Sequence, residues 1–330
     1  MTDNWAKMVN FAESFKGICE IMVRKAGKRM KRKLLILAIA TMVLFTASAQ
    51  ESDLFSHRRI NLYEGVTMPN TVGTQHYDSI SGNRIWRAEQ PRLYAYVPGL
   101  EERTNKAVIV IPGGGYIKQA YETAGVSFAK WLNTFGVTAF VLLHRLPIQP
   151  DVKDATIVPF QDAQRAVRWV RAHAAEYGID PNQVGVMGCS AGGHVCAGVS
   201  TISQDLSACG DSLDRQLFRP SFCILVSPVI SEYGYKGQPP IIAELMEKNK
   251  FDEMVTKDNP PTLLIHAADD RAVNVSNSVK YFSALQQADV KNCSLHIFPF
   301  GRHSISLRSQ PGSTSLWPTI AEEWMKEVLK

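Results

Sequence analysis

The sequence predicts an α/β fold, a doubly wound and mostly parallel sheet with helices on both faces. Three observations carry that expectation. Unbroken, β-branched apolar runs such as Ala107–Ile111 recur along the chain, as strands of a parallel sheet do when both faces are covered. Between them lie stretches with apolar residues at helical spacing, and strands alternating with helices mean parallel pairing. Finally, Gly188-Cys189-Ser190-Ala191-Gly192-Gly193 joins an apolar run at 184–187 to small residues at 194–200 that begin a helix. That is a strand, a turn too tight for large neighbours, and a helix.

Residues 1–49 stand apart from this pattern. Met30-Lys31-Arg32-Lys33 is a basic cluster, 34–45 an apolar run, and Ala47-Ser48-Ala49 a small-x-small cleavage site ahead of Gln50. The expectation is an upstream extension and a signal peptide cut after Ala49, hence a periplasmic or secreted protein. The apolar run is shorter than the roughly 20 residues that span a bilayer, so no stable anchor is expected after processing. Residues 1–29 fit either an unused upstream start or a long leader.

Setting the leader aside changes the charge balance. Nine of the 36 Lys/Arg and three of the 31 Asp/Glu lie in residues 1–49, which leaves 27 basic against 28 acidic. A near-neutral remainder gives no reason to expect nucleic acid or an anionic membrane as partner. Residues 50–330 form an expected single domain, with no linker or repeat dividing them. Five cysteines remain there, an odd number, without metal-ligand spacing; a Cys209–Cys223 disulfide is chemically allowed in an oxidising compartment.

Within that domain, 52–90 is a polar lead-in with turn signals. Residues 92–97 alternate polar and apolar, which predicts a half-buried strand near the sheet edge. Buried strands follow at 107–111 and 137–143, with a helix around 127–135 between them. The spacing of Ala163, Ala166, Val167, Val170 and Ala174 predicts a helix over 162–177, closed by Gly178. After the strand at 184–187 come strands at 222–226, 262–266 and 293–298, with helices at 276–287 and from Pro318 to 329. Residues 228–261 are irregular, a small cap segment with a short helix near 242–248.

The chemistry gathers at strand ends. Glycines two before and two after Ser190 allow a sharp bend that projects its hydroxyl at a helix N-terminus, where backbone N–H groups can hold an oxyanion. Gly113-Gly114-Gly115 directly follows a buried strand, and a backbone without side chains can approach a reacting group closely. Asp269 and Asp270 close the strand at 262–266, on the sheet edge where open α/β folds bind ligands. Either could fix the tautomer of a histidine, and His303, on the loop after the last strand, is the base candidate. His266 and His296 lie within strands; His144, His173 and His194 suit local hydrogen bonds; His57 and His76 lie in the lead-in, and none shows zinc spacing. Asp162 and Arg165 are expected as first-turn helix residues and Arg145 as a structural contact.

From about Ala107 onward the chain resembles the secreted bacterial α/β-hydrolase esterases of the acetyl-esterase and acetylxylan-esterase type, relatives of the hormone-sensitive-lipase-like esterases. Val110 to Tyr116, Gln161 to Ala166, Gly188 to Gly193, Pro260-Pro261-Thr262, His266 to Val273 and Asn277-Ser278 carry the resemblance. It implies an α/β-hydrolase fold and a serine esterase that cleaves short, foremost acetyl, esters on carbohydrate without metal or organic cofactor. The family's acid, three residues before a valine, maps onto Asp270 with Val273 as that valine. The order Ser190, Asp270, His303 is the family's. The oxyanion donors map onto the N–H groups of Gly114, Gly115 and Ala191. Three departures bear on the pocket: Asn274 where proline is common, Cys189 where an aromatic is frequent, and no glycine at 304–307. A prolyl-oligopeptidase-like serine peptidase shares the fold and triad order, and a catalytically inactive carbohydrate-binding homologue shares the fold. Peptide p-nitroanilide turnover would mark the first, and absence of fluorophosphonate labelling the second.

Overall fold

The computed structural model describes residues 58–73, 77–305, 307 and 310–329. The expected leader and its cleavage site, His57, His76 and Ser306 lie outside the described residues. Among the described residues ten strands occur: β1 (Arg59–Asn61), β2 (Ser79–Ser81), β3 (Arg84–Arg87), β4 (Arg92–Tyr96), β5 (Ala107–Ile111), β6 (Thr138–Leu143), β7 (Val184–Cys189), β8 (Cys223–Val226), β9 (Thr262–Ala267) and β10 (Ser294–Phe298). Seven α-helices accompany them among the described residues: α1 (Ser127–Asn133), α2 (Val158–Ala172), α3 (Ala174–Tyr177), α4 (Ala191–Thr201), α5 (Pro240–Lys248), α6 (Ser276–Gln287) and α7 (Trp317–Val328).

Eight strands form one sheet in the order β1-β4-β6-β5-β7-β8-β9-β10, and β2 and β3 form a separate hairpin. From β6 to β10 all neighbours are parallel, while β4 runs antiparallel to both β1 and β6. All five residues of β5 are buried. Ile109 and Ile111 pack with Phe160 of α2 and Val195 of α4, so the alternate residues Val108 and Val110 face the opposite side, which explains the unbroken apolar run. On the other helical layer Trp317 of α7 meets Phe128 and Trp131 of α1 at ring distances of 5.9 and 5.4 Å.

The chain moves outward from β5 to β6, then returns to the other side of β5 to lay down β7. That reversal opens a crevice at the carboxyl ends of β5 and β7, the place where such sheets take ligands. Gly113 follows β5 and Ser190 follows β7.

Four expectations are corrected. β4 lies near the sheet edge as expected, one strand in from β1, but it is fully buried and not half-buried. Its polar letter misleads because the Arg92 guanidinium is taken up by Asp78, the Tyr94 hydroxyl (2.9 Å) and the Gln90 carbonyl (3.1 Å). The helix expected over 162–177 begins at Val158, with Pro159 in its first turn, and breaks at His173 into α2 and α3; Gly178, at φ 69°, closes it. Asp162 and Arg165 are therefore mid-helix and buried. Asp162 accepts from the Arg145 backbone and guanidinium and from the Tyr63 hydroxyl, and Arg165 bonds the Leu62 carbonyl and Asp211. These pairs fasten the lead-in to α2. Finally, the five described cysteines are unpaired. Cys223 is buried in β8 beside Cys196, whereas the Cys209 N–H bonds the Asp214 carboxylate.

Candidate active site

Ser190 sits between β7 and α4 at φ 55° and ψ −125°, in the left-handed half of backbone space that side chains avoid. Such a conformation costs about 1–3 kcal/mol and persists only when its surroundings enforce it. Here its N–H bonds the Val226 carbonyl, and its carbonyl accepts from His194 and Val229. The flanking glycines are required by space. A Cβ on Gly192 would stand 2.1 Å from the Ile111 carbonyl oxygen, and one on Gly188 would stand 2.4 Å from that of Gly192.

His303, on the loop after β10, places Nε2 at 2.9 Å from Ser190 Oγ and Nδ1 at 2.7 Å from Asp270 Oδ2. Asp270, just past β9, accepts the Ala272 and Val273 N–H groups on Oδ1, both at 2.9 Å. Burial would push its pKa up, but hydrogen bonds from His266, His303 and the Val273 N–H outweigh it. They hold the carboxyl well below the usual carboxylate range. An ionised Asp270 can only accept, so His303 carries its proton on Nδ1 and offers a bare Nε2 to the serine.

The neighbouring carboxylate has a different task. Asp269 Oδ1 accepts the Arg302 N–H at 2.7 Å and so ties down the loop that carries His303. The expected Ser190, Asp270 and His303 thus come together although they lie up to 113 residues apart in the chain.

The triglycine loop lies against the serine. A Cβ on Gly113 would be 2.5 Å from the Cys189 carbonyl oxygen and 2.9 Å from Ser190 Cβ. Gly114, Gly115 and Tyr116 all have positive φ, at 145°, 66° and 61°. The Gly114 carbonyl accepts from Ile117 and Lys118, while the N–H groups of Gly114, Gly115 and Ala191 are not taken up by hydrogen bonds among the described residues. Cys189 offers no rival nucleophile, since burial pushes its thiol up to about 11 against an opposing hydrogen bond from the Gly113 N–H.

Two groups near the site escaped the sequence. His266, expected only as a core or edge residue, is fully buried, and its Nε2 lies 3.1 Å from the Val273 carbonyl and 3.3 Å from Asp270 Oδ2. Both partners only accept, so Nε2 bears the proton and Nδ1 accepts from the Ser278 hydroxyl at 2.7 Å. The available signal was the four-residue spacing from Asp270. Tyr233 is the other: its hydroxyl would lie 3.0 Å from a Cβ on Gly115, and its ring leans on Tyr235. No sequence pattern pointed to it. Of the three departures, Asn274 accepts on Oδ1 the N–H of Ser276, the first residue of α6.

One group of metal-type donors lies close together among the described residues, Cys209 with Asp211 and Asp214. Arg165 and Arg168 already pair with those carboxylates.

The BD-FAE family profile matches residues 93–237. An acetylxylan esterase of Xylanibacter ruminicola is 36% identical over 64% of this chain and 43% of its own length. Endo-1,4-beta-xylanase B of Butyrivibrio fibrisolvens is 30% identical over 66% of this chain and 35% of its own. The chain therefore spans less than half the length of either curated relative. A crystal structure of an acetyl ester-xyloside bifunctional hydrolase from Caldicellulosiruptor lactoaceticus superposes with a TM-score of 0.65 at 31% identity, covering 82% of this chain and 96% of that one.

Proposed function

The chain belongs to the α/β-hydrolase esterases, and on that footing we propose that it is a serine esterase acting on short-chain, foremost acetyl, esters of carbohydrate. The single observation that carries the proposal is the hydrogen-bonded run Ser190–His303–Asp270 beside three open N–H groups. His303 Nε2 takes the Ser190 proton as Oγ attacks the ester carbonyl. The N–H groups of Gly114, Gly115 and Ala191 hold the oxyanion, and His303 then protonates the leaving alcohol. Asp270 keeps the imidazole in the required tautomer and stabilises the imidazolium. Water repeats the two steps to release the acid.

Carbohydrate as the alcohol rests on what similar proteins are called, an acetylxylan esterase and an acetyl ester-xyloside hydrolase. A short acyl group suits the Tyr233 phenol that closes over Gly115. The leader at 30–49 supports export, with residues 50–330 as the mature domain; no helix among the described residues is long and apolar enough to cross a membrane.

The test is acetate release from acetylated xylan fragments by the 50–330 protein, with Ser190→Ala as control. Release that vanishes in the control is expected, together with turnover of p-nitrophenyl acetate well above that of long-chain esters. Efficient cleavage of long-chain esters without acetate release would overturn the substrate assignment. Equal turnover by Ser190→Ala would overturn the nucleophile.

A further inference from the structure

Beneath the triglycine loop lies a buried histidine that the reaction does not use. His194, on α4 four residues after Ser190, is fully buried. Its Nε2 is 3.0 Å from the Asn249 carbonyl and its Nδ1 is 2.7 Å from the Tyr116 hydroxyl. A carbonyl can only accept, so Nε2 carries the proton and the bare Nδ1 accepts from Tyr116. Burial lowers the His194 pKa to about 4, opposed by the carbonyls of Asn249 and Ile230, so this tautomer is neutral at working pH. Asn249 is itself fixed, its side-chain amide donating to the carbonyls of Thr156 (3.1 Å) and Leu245 (2.8 Å).

Tyr116 is the residue directly after Gly115, and its φ of 61° is unfavourable for a side chain of its size. That conformation closes the turn of three positive-φ residues, in which the Gly114 and Gly115 N–H groups are not taken up by hydrogen bonds among the described residues. Something must hold it, and within the buried ring contacts the His194 bond is directional: Tyr116 and His194 meet edge to face at 5.8 Å, and Phe160 and Phe251 pack on the imidazole at 5.6 and 4.7 Å. Two hydrogen bonds therefore connect Asn249, just past α5, through α4 to the loop.

We propose that His194 is a positioning residue for the reaction: by accepting the Tyr116 hydroxyl while donating to the Asn249 carbonyl, it fixes the 114–116 turn so that the Gly114 and Gly115 N–H groups meet the oxyanion. The inference rests on the esterase reading above. It makes His194 act on the transition state rather than on substrate affinity, since the N–H groups bond the oxyanion more strongly than the ground-state carbonyl.

The experiment compares wild type with Tyr116→Phe, His194→Asn and His194→Leu on p-nitrophenyl acetate. A boronic acid that forms a tetrahedral adduct on Ser190 serves as the transition-state probe, and thermal melts follow folding. Asn places an oxygen where Nδ1 stands and can still accept from Tyr116, whereas Leu cannot. Expected is a kcat loss of roughly 10- to 100-fold in Tyr116→Phe and His194→Leu, with KM within about 2-fold, a boronate Kd raised in parallel, and a smaller loss in His194→Asn. Should His194→Leu fail to fold, Tyr116→Phe, which removes one oxygen atom, decides. Unchanged kcat and boronate affinity in folded Tyr116→Phe, beside an active wild type, would overturn the inference and leave the esterase reading standing. A wild type that turns over no ester overturns both.

Discussion

Asp270→Asn is the sharpest test of the proposed machinery. The carboxylate has four donors around it. Oδ1 accepts the Ala272 and Val273 N–H groups, and Oδ2 faces His303 Nδ1 at 2.7 Å and His266 Nε2 at 3.3 Å. An asparagine keeps only one accepting oxygen. If that oxygen faced the imidazoles, its amide N–H groups would confront two backbone N–H groups that cannot rearrange. The oxygen must therefore stay on the backbone side, and the amide nitrogen then points at His303. The imidazole can comply by moving its proton to Nε2, which removes the base from Ser190.

A change of tautomer in such a triad costs about 1,000- to 10,000-fold in kcat, or about 4–5.5 kcal/mol. Steady-state hydrolysis of p-nitrophenyl acetate, with circular dichroism to establish folding, measures it. Asp269→Asn is the matched control. Its oxygen can still accept the Arg302 N–H, so kcat should stay within about 3-fold of wild type. A folded Asp270→Asn protein that loses less than 10-fold, or an Asp269→Asn protein that loses as much as Asp270→Asn, would refute the assignment of the acid.

Three further outcomes follow from the same contacts. A carboxylate with a depressed folded pKa adds stability that is complete above its unfolded value of about 4 and disappears as pH falls toward the folded value. The Tm gap between wild type and Asp270→Asn should therefore be widest above about pH 5 and narrow below it; a gap independent of pH would contradict the hydrogen bonds assigned to Asp270. Asp162→Ala removes the carboxylate paired with the buried Arg145 guanidinium and should cost about 3–5 kcal/mol in urea unfolding; a shift under 1 kcal/mol would show the pair to be dispensable. With its thiol held near 11, Cys189 should resist iodoacetamide at pH 8 and leave esterase activity intact, whereas inactivation that Cys189→Ala prevents would show an accessible thiolate.

The parallel strands were legible because being covered on both faces leaves no polar alternation, and β5, β7 and β9 stand within a residue or two of their expected ends. The lead-in was not. β1, β2 and β3 are three or four residues long with little apolar pattern of their own; β1 is held by pairing with β4, and the β2–β3 hairpin is fastened to the rest through Ile85 and Gln119. Arg92, Asp162 and Arg165 show the same limit from inside the core. Each has a charged side chain that local sequence assigns to solvent, and each is buried because a partner from elsewhere in the chain satisfies it. For α2 the missed signal was local: Pro159 marks a first turn better than Asp162 does.

The proposed triad and the residues beside it differ in a way that has a physical cause. Ser190, Asp270 and His303 are far apart in sequence and meet because β7, β9 and β10 end on one edge of the sheet, so motif order and topology suffice to find them. Their supports are close neighbours. His194 follows Ser190 by one helical turn, His266 precedes Asp270 by four residues across the bend after β9, Asp269 adjoins Asp270, and Tyr116 adjoins Gly115. A helix start or a strand end that turns back brings residues about four apart into contact, so each strand end carries its own means of holding what it presents. Two of the histidines expected only to make local contacts, His194 and His266, bond residues that flank or belong to the site. Their role follows from spacing to the reactive residue, which hydrophobic periodicity does not report.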